Sequence, residues 1–145
     1  MTYNVLFLCT GNYYRSRFAE LLFNELASKS NLPWRATSRA LALELGGRNV
    51  GPISTHTLQA LAAREIKLEK PIRYPRALQL IDLQQATRVI ALKKSEHLSM
   101  VEQRFPEWSS RVEFWHIDDV DVASPEVAVP QIESLVRELL RELSQ

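Results

Sequence analysis

The sequence predicts an α/β fold, a three-layer sandwich in which helices flank a four-stranded parallel sheet, and three observations carry that expectation. Four short apolar runs have strand length: Tyr3 to Leu8, Trp34 to Ser38, Thr87 to Leu92 and Val112 to Trp115. The segments between and after them repeat apolar residues at three-to-four spacing, the mark of a helical face. The two kinds of segment alternate, which favours parallel strands joined by right-handed crossovers and places ligands beyond the carboxyl ends of the strands.

Taken in order, the first run is continuously apolar, as expected of a strand covered on both faces. A helix from about Ser16 to Ser30 follows, with Phe18, Leu21, Leu22 and Leu26 on its inner side, and Asn31-Leu32-Pro33 breaks it. After the second strand, Arg39 to Gly51 contains Gly46, Gly47 and Gly51 and reads as loop despite its leucines. Ser54 caps a helix through about Arg64. The segment Lys67 to Tyr74 is polar and basic, and Pro75 is expected to open a short helix containing Leu78, Leu80 and Ile81. Behind the third strand, Ser95 begins a helix carrying Leu98, Val101 and Phe105. After the fourth, Ser124 and Pro125 start a final helix whose stripe of Ile132, Leu135, Val136, Leu139, Leu140 and Leu143 needs a sheet to cover it.

The chemistry gathers where the first strand ends. That strand delivers the only cysteine, Cys9, into Thr10-Gly11-Asn12-Tyr13-Tyr14, after which Arg15 and Ser16 lead into helix. A tight loop between strand and helix turns backbone N–H groups into a concavity and adds the positive end of the helix, which together hold an anion. The same surroundings favour thiolate over thiol at Cys9. Arg15 can close a planar two-donor fork over two oxygens of a tetrahedral oxyanion. Gly11 permits dihedrals that a β-carbon forbids, and Asn12 tolerates left-handed geometry. Ser16 is placed to hydrogen-bond the sulfur. Tyr13 and Tyr14 either wall a pocket for the substrate or obstruct it.

The stretch Val5-Leu-Phe-Leu-Cys-Thr-Gly-Asn-Tyr-Tyr-Arg-Ser16 resembles the C-x5-R-S loop of the low-molecular-weight protein tyrosine phosphatase family, which also contains thioredoxin-coupled arsenate reductases. The resemblance runs over essentially the whole chain. It implies Cys9 as nucleophile, Asn12 as loop-shaping residue, Arg15 as phosphate clamp and Ser16 as thiol-stabilising residue, with the phosphate loop after strand 1. It also implies a general acid in the loop after the fourth strand. Aligning Trp115-His-Ile-Asp-Asp119 puts that acid on Asp119, with Asp118 and Asp121 as alternatives because Val120 replaces the usual proline. The chain departs from the family elsewhere. Ser38-Arg39-Ala40 stands for Ser-Ala-Gly, Glu65 for a glycine, Arg73 for a histidine three residues before Arg76, and Lys93 for an aspartate. Arg73, Arg76 and Lys93 are individually expected to be solvated charges, although the implied fold brings them towards the site.

At 145 residues the chain suits one domain, residues 1–145. Eighteen basic against seventeen acidic residues, a formal charge of +1, give no stripe for nucleic acid or membrane. One cysteine makes neither a disulfide framework nor a thiol-only metal site, His56, His97 and His116 have no partner cluster in sequence, and no signal segment is visible, so a cytoplasmic setting is expected. The expected function is phosphomonoester hydrolysis through a phosphocysteine, acting on a phosphotyrosine protein or small aryl phosphate. Its transition-state charge is met by fixed donors, so neither metal nor other cofactor is called for. Two alternatives stand: arsenate reduction, for which the reductant must be an external thiol, and a catalytically weak phosphate- or phosphotyrosine-binding module.

Overall fold

The run Tyr3–Cys9 forms strand β1, and every residue from Val5 onward is buried, as a strand covered on both faces must be. The structure is a computed structural model and describes residues 3–145. Strands β2 (Trp34–Ala40), β3 (Arg88–Ala91) and β4 (Val112–Phe114) complete one all-parallel sheet of order β2-β1-β3-β4. In register, Cys9 lies opposite Ala40 and Leu8 opposite Ala91, so β1 has a neighbour on each side up to the point where it releases Cys9.

Among the described residues five α-helices follow from the apolar spacing: α1 (Arg15–Lys29), α2 (Thr55–Ala63), α3 (Leu80–Gln85), α4 (Lys94–Arg104) and α5 (Pro125–Leu143). Period-two alternation in β1 sorts the core into two layers. Val5, Phe7 and Cys9 meet Phe18, Leu22 and Phe23 of α1, Leu61 of α2, and Ile132 and Val136 of α5. Leu6 and Leu8 meet Leu83 of α3, Val101 of α4 and Val112 on the other face. Each of the buried Val, Leu, Ile and Phe side chains contributes about 1.5–3 kcal/mol of apolar transfer. No helix among the described residues is long and apolar enough to cross a membrane.

Several boundaries differ from the sequence reading. Strand β2 continues through Ala40 because it pairs with the full length of β1, taking Ser38-Arg39-Ala40 into the sheet. Within the expected loop of residues 39–51, Leu43–Gly46 forms a 3-10 turn. Pro75 does not open a helix. The chain instead runs extended through an Ala40–Ala77 bridge, and α3 starts at Leu80 behind a reciprocal Gln79–Asp82 capping box. Pro106–Arg111 adds a further 3-10 turn before β4.

Candidate active site

The loop Thr10–Tyr14 takes its shape from its carbonyls. The C=O groups of Cys9 and Thr10 accept from the N–H groups of Leu41 and Ala42 (2.9 and 3.0 Å), in the segment that leaves β2. Those of Tyr13 and Tyr14 accept from the Ser54 N–H (3.0 Å) and the Thr57 hydroxyl (3.1 Å), at the start of α2. With the carbonyls drawn outward, the N–H groups from Gly11 to Ser16 have no acceptor among the described residues. They stand with the N-terminus of α1 as a ring of free donors beside Cys9, an arrangement suited to an anion.

Asn12 holds that curve. It is fully buried, has φ +53°, and its side chain makes four hydrogen bonds. Its Nδ2 donates to Ser16 Oγ and Ser38 Oγ (both 2.8 Å), while Oδ1 accepts from Arg73 Nη1 (3.0 Å) and the Arg76 N–H (3.2 Å). Because Ser16 Oγ accepts from Asn12, its own hydrogen is free for Cys9 Sγ, 3.0 Å away. The expectation for Gly11 needs correcting: the left-handed residue is Asn12, while Gly11 has no positive φ and a β-carbon there would meet its nearest neighbour, Asn49 Nδ2, at an ordinary 3.4 Å. Arg73 is likewise no solvated charge. It donates to Glu20, Ser38 and Asn12, and burial lowers its pKa from the ordinary value.

Arg15 is among the most buried side chains, 2% exposed. Its Nη1 donates to Glu96 Oε1 and the Ile117 carbonyl (both 3.1 Å), and its Nη2 donates to Glu96 Oε2 (2.8 Å). Glu96, which sequence reasoning missed, also accepts from the Thr10 hydroxyl. Burial pushes its carboxyl up, but hydrogen bonds from His97, Arg15 and Thr10 and the Arg15 charge outweigh that and hold it well below the usual carboxylate range. His97 is fully buried, and burial lowers its pKa, so it is neutral at pH 7. Its Nδ1 accepts from the Lys93 N–H (3.1 Å), which puts the ring hydrogen on Nε2, facing Glu96 Oε2 at 3.1 Å.

The three aspartates of the loop after β4 separate clearly. Asp118 pairs with Lys93 Nζ at 2.5 Å, so Lys93 is engaged and Asp118 is turned to it. Asp121 is exposed and does not line the cavity. Asp119 does line it, with Oδ2 3.4 Å from Arg15 Nη2. The cavity holds about 340 Å³ and is bounded by Cys9, Tyr13, Leu45, His56, Asp119 and Val120 among others. Tyr13 forms part of its wall, with its hydroxyl donating to the Val50 carbonyl (2.6 Å). Tyr14 also borders it but is 5% exposed, packed into the core with an edge against His56. Among the described residues no group of three or more His, Cys, Asp or Glu is gathered as for a metal ion.

Among solved structures, the fold superimposes on YfkJ from Bacillus subtilis with a TM-score of 0.84 at 23% identity, covering 99% of this chain and 96% of that one. It superimposes on the low molecular weight protein tyrosine phosphatase from T. tengcongensis with a TM-score of 0.81 at 22% identity, covering 97% and 99%. Vibrio vulnificus Wzb in complex with benzylphosphonate gives 0.80 at 17% identity, covering 98% and 99%. No curated protein sequence matches significantly. The low molecular weight phosphotyrosine protein phosphatase family matches residues 4–145, and the chain belongs to that family as a cysteine-dependent phosphatase.

Proposed function

We propose that the chain hydrolyses phosphomonoesters of the aryl or phosphotyrosine kind through a phosphocysteine on Cys9. One observation carries the reading: the outward-pinned carbonyls leave a ring of N–H donors around Cys9, closed on one side by the buried Arg15. Phosphate oxygens take up those N–H groups and the free donors of Arg15. The Cys9 sulfur attacks phosphorus in line and the bond to the leaving oxygen breaks, with Asp119 delivering a proton to that oxygen. Water then cleaves the phosphorus–sulfur bond and returns its proton to Asp119. The Ser16 hydroxyl, 3.0 Å from Sγ, donates to the sulfur as it leaves. Tyr13, Leu45 and Val120 offer an aromatic and aliphatic wall for an apolar leaving group.

The test is hydrolysis of para-nitrophenyl phosphate and a phosphotyrosine peptide beside Cys9→Ser and Asp119→Asn. Cys9→Ser is expected to bind orthophosphate yet turn nothing over. Asp119→Asn is expected to slow the phosphotyrosine peptide by about 10²–10⁴-fold, the usual worth of a positioned acid, and aryl esters with better leaving groups less. Turnover that survives in Cys9→Ser overturns the mechanism. Folded, reduced protein with no turnover, but reducing arsenate when given an external thiol, replaces it.

A further inference from the structure

A carboxylate beside a phosphate site weakens its attraction for a dianion, so Glu96 requires a reason to be there. It does not line the cavity, and among the cavity residues it touches only Thr10 and Arg15. It sits at the third residue of α4, one helical turn from Lys93, which is committed to Asp118. What it does is visible in the donor count of Arg15. A guanidinium has five N–H groups. Two face the Glu96 oxygens end-on and one faces the Ile117 carbonyl. That leaves Nε–H and the second hydrogen of Nη2, which share the side edge of the guanidinium. This edge is the one towards the cavity, since Nη2 also lies 3.4 Å from Asp119 Oδ2.

We propose that Glu96 is a positioning residue for catalysis: oriented by Thr10 and His97, its carboxylate grips Arg15 end-on and thereby presents the Nε/Nη2 edge to two phosphoryl oxygens. The proposal rests on the phosphatase reading. Thr10 and His97 make the grip stiff. The Thr10 hydroxyl donates to Glu96, and His97 Nε2–H points at both Glu96 Oε2 and Thr10 Oγ (3.1 Å each), so three side chains brace one another. Asp119, by contrast, holds Arg15 only by a long, half-exposed contact, and incoming phosphate replaces it without disturbing the grip.

The experiment measures kcat/KM for para-nitrophenyl phosphate in Glu96→Ala, Glu96→Gln and Glu96→Asp, each made also in an Arg15→Lys background. Lysine keeps the charge but has no fork to orient. In the native background Glu96→Ala is expected to lose about 100-fold, the scale set by a misplaced catalytic group. Glu96→Asp should recover most of that loss. In the Arg15→Lys background the same Glu96→Ala change should cost less than about threefold, because contacting residues acting through one another are non-additive. Equal losses in the two backgrounds would make Glu96 merely structural and sink the proposal. If Glu96→Ala does not fold, the volume-matched Glu96→Gln carries the same comparison. Orthophosphate titration of Cys9→Ser with and without Glu96→Gln separates the two readings. Weakened binding there supports the grip even if the enzyme proves inactive on esters, and unchanged binding overturns it whatever the turnover.

Discussion

Asn12 uses its whole hydrogen-bonding capacity on loop shape, and its replacement separates two contributions. Asn12→Gly keeps the left-handed backbone and loses the four side-chain bonds, leaving Ser16, Ser38 and Arg73 short of a partner. Asn12→Ala loses them and adds the strain of a β-carbon at φ +53°. Unsatisfied buried partners cost about 1–3 kcal/mol, and a left-handed residue with a β-carbon about 1–2 kcal/mol more. Denaturant unfolding is therefore expected to rank native above Asn12→Gly above Asn12→Ala, with orthophosphate affinity falling in the same order. The reverse order for the two variants would mean that conformation is not what asparagine supplies. At this scale the sequence was legible where chemistry is local: Cys9, Asn12, Arg15 and Ser16 stand within eight positions of one another. It was silent where partners are remote. Glu96 meets Arg15 across 81 positions and Arg73 meets Asn12 across 61, and neither residue type betrays such a partner by itself.

Helix α2 is the element that holds the loop open from outside. Ser54 both donates its N–H to the Tyr13 carbonyl and caps the helix through the His56 N–H (3.1 Å), and buried Thr57 adds the bond to the Tyr14 carbonyl. Ser54→Ala removes only the side-chain cap and is expected to cost about 1 kcal/mol of stability with little change in turnover, since its backbone bond remains. Thr57→Val removes the bond to the loop itself. It is expected to cost a similar amount, about 1 kcal/mol, but also to weaken orthophosphate binding. Calorimetric melting with phosphate titration checks both, and equal phosphate affinities in the two variants would deny α2 a part in shaping the site. Elements with strong periodicity were legible to within a few residues, as β1, α1 and α5 show. The start of α3 was not: Pro75 suits a first helical turn, yet the bridge from Ala77 to Ala40 holds the chain extended until Gln79. Pairing with a neighbouring strand decided that boundary, as it did for the extra length of β2.

For the whole molecule, the Arg15–Glu96–His97 cluster ties stability to pH with a definite sign. Burial lowers the His97 pKa below the usual value of about 6.5, and protonation would take Nδ1 away from the Lys93 N–H it accepts. Below about pH 6.5 the unfolded chain therefore binds a proton at this residue that the folded protein refuses, so lowering the pH through that window destabilises the fold. Glu96 acts in the same direction lower down. Its folded carboxyl is held far below the ordinary value of about 4.3, so its stabilising contribution is complete above that pH and is lost as the pH falls further. Glu133, held down by hydrogen bonds from Arg64 and Arg137 against the opposing effect of burial, adds to the second stage. From these groups the unfolding free energy is expected to be level from pH 7 to 8, to decline below about 6.5, and to fall more steeply below about 4.3. Urea unfolding across this range measures it, with His97→Gln expected to flatten the first decline and Glu96→Gln to soften the second. If stability instead rises between pH 7 and 5.5, and His97→Gln abolishes the rise, the buried imidazole is charged in the folded protein. The Nε2–H donor that braces Glu96 would then come from an imidazolium, and the Nδ1 bond to the backbone would have to be broken to allow it.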